Sequence, residues 1–118
     1  MTLVDTSVWV DHLRNKNAGL AVLLNDDQVL VHPFIIGELA LGTLRNRVQV
    51  LDLLSRLPRA PVAEHAEVMA MINRHHLHGI GIGWVDAHLL ASALLAKAQL
   101  LTQDKTLRQA SKVMGVQA

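Results

Sequence analysis

The 118 residues contain no cysteine and no tyrosine, one phenylalanine and two tryptophans. Without cysteine there is neither a disulfide framework nor a thiolate zinc site, and the composition suits a reducing cytoplasm. With so few aromatic rings, stacking on nucleic-acid bases has few candidates. No apolar run approaches the roughly 20 residues of a membrane span, so no membrane partner is expected. The first residues, Met-Thr-Leu-Val-Asp, show no basic region followed by an apolar stretch, so no secretory signal is expected either. Two familiar motifs are also missing. "HGIGIGW" (78–84) lacks both the G-x-G-x-x-G spacing and a G-K-[ST] ending, and it follows a helical pattern rather than a strand. It reads as a connector, with Trp84 as a packing anchor. His75, His76 and His78 point different ways on a helix and form no H-E-x-x-H, which leaves a solvated helix end.

What is present is apolar: 51% of residues are hydrophobic and 18% charged, the balance of a globular chain. The length suits one domain, residues 1–118, large enough to bury a core. The net charge of +1 hides a segregation. Residues 1–40 are net −3, with Arg14 and Lys16 against Asp5, Asp11, Asp26, Asp27 and Glu38. Residues 41–59 are net +3, with Arg45, Arg47, Arg56 and Arg59 against Asp52. Residues 60–86 are net −2, and residues 87–118 net +3 through Lys97, Lys105, Arg108 and Lys112 against Asp104. Such blocks describe either an acidic site beside basic walls or two solvated helices.

Apolar periodicity predicts strands at "TLV", "QVLVH" (closed by Pro33) and "QLLT", with "VQA" as a further terminal strand. Helices are predicted at "TSVWVDHLR", "AGLAVLLN", "FIIGELALGTL", "VQVLDLLSRL", "VAEHAEVMAMINRHH", "WVDAHLLASALLAKA" and "KTLRQASKV". In the fifth, Ala66, Met69, Ala70 and Asn73 share one side. "LAVLL" and "LLASALLA" are expected in the core rather than at a partner interface. Strands alternating with helices, apolar on both faces, imply an α/β fold with a central parallel sheet flanked by helices on both faces.

Six of the ten acids have ordinary surroundings: Asp11 lies near Arg14, Asp26 and Asp27 sit in a turn, Asp52 has Arg56 four residues on, and Glu64 and Glu67 lie on a polar helix side. The other four follow or interrupt apolar segments: Asp5 after "TLV", Glu38 inside "FIIGELALG", Asp86 after "GIGWV" and Asp104 after "QLLTQ". The i±3 and i±4 neighbours of Glu38 and Asp86 are apolar or glycine, so both are expected to point with the core-facing side chains. Taken singly, Asp5, Asp86 and Asp104 read as helix caps; Glu38 has no capping-box partner. Topology joins them. In a parallel sheet the carboxyl ends of the strands share one edge, where ligands bind. Four carboxylates brought there repel one another unless a hard divalent cation, Mg²⁺ or Mn²⁺, sits between them. Such a cation suits phosphoryl chemistry. Thr6, Ser7 and Thr102 stand beside the acids, either to orient a water or ligand or merely as helix-start hydroxyls. His88 falls about 200° from Asp86 on an ideal helix and is not a base for it.

The segments "LVDTSVWVDHLR", "IIGELALGTLRNR", "GWVDAHLLASALL" and "LLTQDKTL" resemble, in order and nearly end to end, the successive motifs of PIN-domain ribonucleases, in particular VapC-type toxins of bacterial toxin–antitoxin pairs. The resemblance implies a PIN domain over residues 1–118 and a catalytic, metal-holding quartet at Asp5, Glu38, Asp86 and Asp104, the last at the family's most variable position. It places Thr6 or Ser7 and Thr102 at accessory hydroxyl positions. It implies Mg²⁺- or Mn²⁺-dependent hydrolysis of RNA by activated water, a homodimer, and a small cognate VapB-type antitoxin whose tail fills the active-site groove in a heteromeric complex. Arg45, Arg47, Lys105 and Arg108 are the basic residues expected to guide RNA. Two other functions compete. One is a non-catalytic acidic groove that docks a basic peptide. The other is an aspartate-based phosphatase or phosphotransfer domain, which would want a second Asp where Ser7 stands.

Overall fold

The computed structural model describes residues 1–118. Three short apolar segments pair into a parallel sheet: β1 (Thr2–Val4), β2 (Val29–Leu30) and β3 (Gln99–Leu101), in the order β2-β1-β3. Leu3 stands opposite Leu30 on one side and Leu100 on the other. Single parallel bridges widen the sheet at both edges, Val31 with Arg59 and Leu100 with Gln117, the latter in the predicted "VQA" strand. Successive strand residues face opposite ways, and all three residues of β1 are buried. Both faces of the sheet are therefore covered, as the α/β expectation requires.

Seven helices do the covering: α1 (Thr6–Asn15), α2 (Ala18–Asn25), α3 (Pro33–Leu41), α4 (Arg47–Arg56), α5 (His65–His75), α6 (Trp84–Ala96) and α7 (Lys105–Val113). The most enclosed is α6, buried continuously from Ala87 to Ala93, as a helix apolar on all sides must be. Its outer end leaves Leu94 and Leu95 exposed, so "LLASALLA" is core only in part. In "LAVLL" only Leu20 is fully buried, and Val22 is exposed. A core of 26 apolar residues runs through the sheet, with Leu3, Leu89, Leu90, Leu100 and Leu107 at its centre.

Several local expectations change in the folded chain. Pro33 does not close a strand but opens α3 at its first helical position, where its missing N–H costs nothing. The capping residue is His32: its Nδ1 accepts the Phe34 N–H at 3.0 Å. That fixes the ring proton on Nε2, which donates to Ser92 Oγ at 3.1 Å. The pair is fully buried, and burial, aided by nearby His88, holds the His32 imidazole down at about 4. Helix α5 starts at His65, after an extended approach, with Glu67 accepting the Glu64 N–H. It buries Val68 and Met71 and leaves Ala66, Met69, Ala70 and Asn73 outside. Gly79 and Gly81 carry the connector "HGIGIGW" through positive φ values of 73° and 93°, which side chains disfavour.

Candidate metal centre

The strand order reverses at β1, since the chain passes first to β2 on one side and later to β3 on the other. The crevice at the carboxyl ends of strands beside such a switch point is where open α/β sheets bind ligands. Asp5 stands there as the residue after β1, its N–H bonded to Leu101 O of β3 at 2.9 Å. It caps α1 through Oδ1, which accepts the Thr6 N–H at 2.8 Å. Its Oδ2 accepts two hydroxyls, Thr102 Oγ1 at 2.7 Å and Ser7 Oγ at 3.0 Å. With 8% of its surface exposed, Asp5 is the most buried acid of the chain, and three donors hold its carboxylate.

The hydroxyls are held in turn. Thr102 Oγ1 accepts the Asp104 N–H and Ser7 Oγ the Gln103 N–H, both at 3.0 Å. Asp104 caps α7 through Oδ1, which accepts the Leu107 N–H at 2.9 Å. Thr6 Oγ1 donates across the cleft to Glu38 Oε1 at 2.8 Å, which ties α3 to the start of α1. Glu38 is exposed rather than core-facing. Because α3 begins at Pro33, its buried stripe is Ile35 and Leu39, and Glu38 lies beside that stripe at the rim.

Asp86 is half-buried and is not the cap of its helix; it is the third helical residue, and Oδ2 reaches back to the Gly83 N–H at 3.1 Å. Burial pushes its carboxyl above the ordinary carboxylate value, against the pull of the Gly83 bond, and the charges of Asp5 and Asp104 push it further. The charges of Asp5 and Asp104 thus act on Asp86, and the Thr6 bond brings Glu38 to the start of α1, one residue from Asp5.

The donor chemistry suits a hard cation. Glu38 Oε2, Asp86 Oδ1 and Asp104 Oδ2 accept no hydrogen bond within the chain, and no ion pair joins any of the four acids to a basic side chain. No three of these side chains already close to ligand distance. Mg²⁺ keeps several waters and commonly takes only one or two carboxylates directly, so three-fold closure is not required of it.

Of the basic residues, Arg45 shares a groove of about 570 Å³ with Thr6 and Glu38. Arg47 donates to Ala40 O at 3.0 Å, and Arg108 donates to Thr102 O at 3.1 Å, beneath the acids. Lys105 lies in a different cavity, with His75 and His76. The expected basic surface is thus divided. Asp11 makes no ion pair with Arg14; it accepts Asn17 Nδ2 at 2.9 Å and Gln103 Nε2 at 3.2 Å, and these bonds hold its carboxyl below the ordinary value. Gln103 and the Gly83 N–H were not foreseen as parts of the site. The signal for Gln103 was its place between Thr102 and Asp104; a backbone N–H leaves none. His88 is buried away from the acids, its ring 4.8 Å from Phe34 and 4.9 Å from Trp84, with Nδ1 unpartnered. Trp84 is half-exposed and packed between His88 and His65.

The sequence profile of the PIN domain matches residues 2–113. Two proteins named Ribonuclease VapC32, from Mycobacterium tuberculosis strains CDC 1551 / Oshkosh and ATCC 25618 / H37Rv, are each 50% identical to this chain over 117 residues, covering 98% of it and 94% of their own length.

Proposed function

The chain belongs to the PIN-domain family, in its VapC-type branch, and on that premise we propose that it is an Mg²⁺- or Mn²⁺-dependent endoribonuclease and the toxin of a toxin–antitoxin pair. The observation that carries the reading is the acid cluster at the switch point. Asp5 is fixed by three donors, and Asp86 feels the charges of Asp5 and Asp104 with no basic side chain paired to any of them. When bound among these carboxylates, a divalent cation supplies a water of lowered pKa and positive charge against the phosphate.

The chain's own residues set the geometry. Ser7 and Thr102 hold the Asp5 carboxylate from one side and the Thr6 N–H from another, so it enters the reaction already oriented. Thr6 positions Glu38 at the rim, where its second oxygen stays available. Asp86 takes up a proton more readily than an ordinary carboxylate, so binding of a cation weakens early as pH falls. Arg45, beside Glu38, offers a charge to the RNA backbone.

The aspartyl-phosphate alternative loses ground on the same geometry. That chemistry would want a second Asp at position 7, and the Ser7 that stands there donates its hydroxyl to Asp5 Oδ2. The antitoxin and homodimer are part of the proposal. Leu41, Val48 and Leu53, on α3 and α4, are large exposed hydrophobics and offer a partner apolar area. No helix is long and apolar enough to cross a membrane, and the cysteine-free chain suits the cytoplasm, where its RNA would be met. Incubating the protein with total cellular RNA, with and without Mg²⁺, and mapping the new ends tests the reading. Cation-dependent, position-specific ends are expected; intact RNA under both conditions would leave only an acidic binding groove.

A further inference from the structure

A second cavity, largely apolar with a few polar groups, begins at Lys105, the residue after Asp104, and nothing in the proposed cleavage uses it. It occupies about 440 Å³ between the end of α5 and one face of α7, a volume in the range of small-ligand pockets. Lys105, Gln109 and Val113, at four-residue spacing, form one wall, and His75, His76 and Ile80 stand opposite. No carboxylate lines it. The ammonium, the two imidazoles and the Gln109 amide make no hydrogen bond or ion pair within the chain, and all are exposed. They offer N–H donors without a built-in acceptor, which suits an anion. Ile80 and Val113 are large, exposed and apolar, which suits a flat uncharged ring.

Both walls lead to the site. Lys105 directly follows Asp104. The segment 77–83 passes over α7, where a Cβ placed on Gly81 would stand 3.8 Å from Thr106 Cγ2. It ends at Gly83, whose N–H holds Asp86. We propose that this cavity is a nucleotide subsite for RNA, adjoining the cleaved bond: His75, His76 and Lys105 take a phosphate, Ile80 and Val113 pack on the base, and Gln109 meets the base edge with its paired donor and acceptor. This assignment rests on the ribonuclease reading and gives it a source of base preference that the scarcity of aromatic rings otherwise withholds.

The test begins without cleavage. In EDTA, the four nucleoside 5′-monophosphates and inorganic phosphate are titrated separately while the methyl resonances of Ile80 and Val113 are followed. At least one nucleotide is expected to shift both saturably, and at lower concentration than phosphate. A short oligoribonucleotide is expected to displace it. The double variant His75→Ala with His76→Gly is expected to bind about tenfold more weakly; glycine suits the left-handed backbone of His76 (φ 54°), so the fold is retained. Equal binding by the double variant, phosphate as effective as nucleotide, or no displacement by the oligonucleotide would each overturn the subsite. With total RNA and Mg²⁺, Gln109→Ala, at an exposed position, is expected to lose base preference next to the cut; an unchanged preference would also overturn the subsite. If wild type cuts no RNA, the ribonuclease reading fails by itself, while the titration still judges the cavity.

Discussion

Two strands of the sheet lead into a buried polar side chain that caps the next helix: β1 into Asp5, and β2, through Val31, into His32. The two sites differ in what they leave open. At His32 both ring nitrogens are used, one by the Phe34 N–H and one by Ser92, and His88 is the only titratable neighbour that moves its pKa. At Asp5 the carboxylate is satisfied just as fully, but around it stand three further acids, each with an oxygen that accepts nothing, and no paired cation. A closed polar pair only stabilises the fold; acids with open acceptors and no paired cation store repulsion that a ligand can relieve. Cap geometry alone does not separate a structural residue from a functional one.

The sharpest way to break the comparison is substitution on both sides. Asp86→Asn or Asp5→Asn is expected to lower RNA cleavage by more than about a hundredfold, beyond what loss of an outer partner of a metal ligand costs. Initial rates on a defined RNA measure this. In EDTA, Asp86→Asn is expected to melt at or above wild type, since the amide removes a buried charge. Asp5→Asn is expected to cost about 1 kcal/mol, because an amide accepts at only one of its two positions, so its NH₂ must face either the Thr6 N–H or the two hydroxyls. His32→Leu should do the reverse: about 2–3 kcal/mol of stability lost in urea titration, through the missing cap and an unpartnered Ser92, with the rate per folded molecule within about threefold.

The pH response sharpens the contrast. His32 has a lowered pKa in the folded state, so the unfolded chain binds its proton first. Its contribution is complete above the unfolded value near 6.5 and is lost as pH falls toward about 4. Asp86 has a raised pKa, so its contribution is complete below the unfolded carboxylate value and is lost as pH rises through the folded one. Stability of metal-free protein measured from pH 7 to 4 is expected to fall, and to fall more steeply in Asp86→Asn, which lacks the opposing term.

A smaller effect is expected from Glu38→Asp. The change keeps the charge but withdraws the carboxylate by one methylene and breaks the 2.8 Å bond from Thr6. The initial rate in Mg²⁺ is expected to drop about tenfold, with partial recovery in Mn²⁺. Equal rates in Mg²⁺ would remove Glu38 from the site. The smallest effect belongs to Arg45→Ala, which removes one phosphate contact. The log–log salt slope of RNA binding is expected to flatten by about 0.7, and Arg47→Ala by less, because Arg47 is occupied by Ala40 O.

Much of this was legible in the sequence, for identifiable reasons. Short apolar runs before Asp5 and Asp104 announced both strands and the sheet edge at which these two residues stand. Continuous apolar composition announced the burial of α6. Other features depend on where a helix begins, which periodicity does not fix. Pro33 and His32 set the start of α3, and with it the exposure of Glu38 and of Leu41, which is 91% exposed. Gly83 starts α6 three residues before Asp86, which turns an expected cap into a residue that reaches back to the cap. In α5 the apolar side read from the sequence, with Met69 and Ala70, faces outward because Val68 and Met71 fill the core. Partners distant in sequence, such as Thr6 with Glu38 and Gln103 with Asp11, have no local signal.

The most direct measurement is thermal unfolding with and without Mn²⁺ for wild type, Asp86→Asn and His32→Leu. A cation bound only by the folded chain raises its melting temperature in a concentration-dependent way. Wild type and His32→Leu are expected to shift upward by the same amount, and Asp86→Asn by little or nothing. An equal shift in all three proteins, or none in wild type, would contradict a metal centre at the acidic edge.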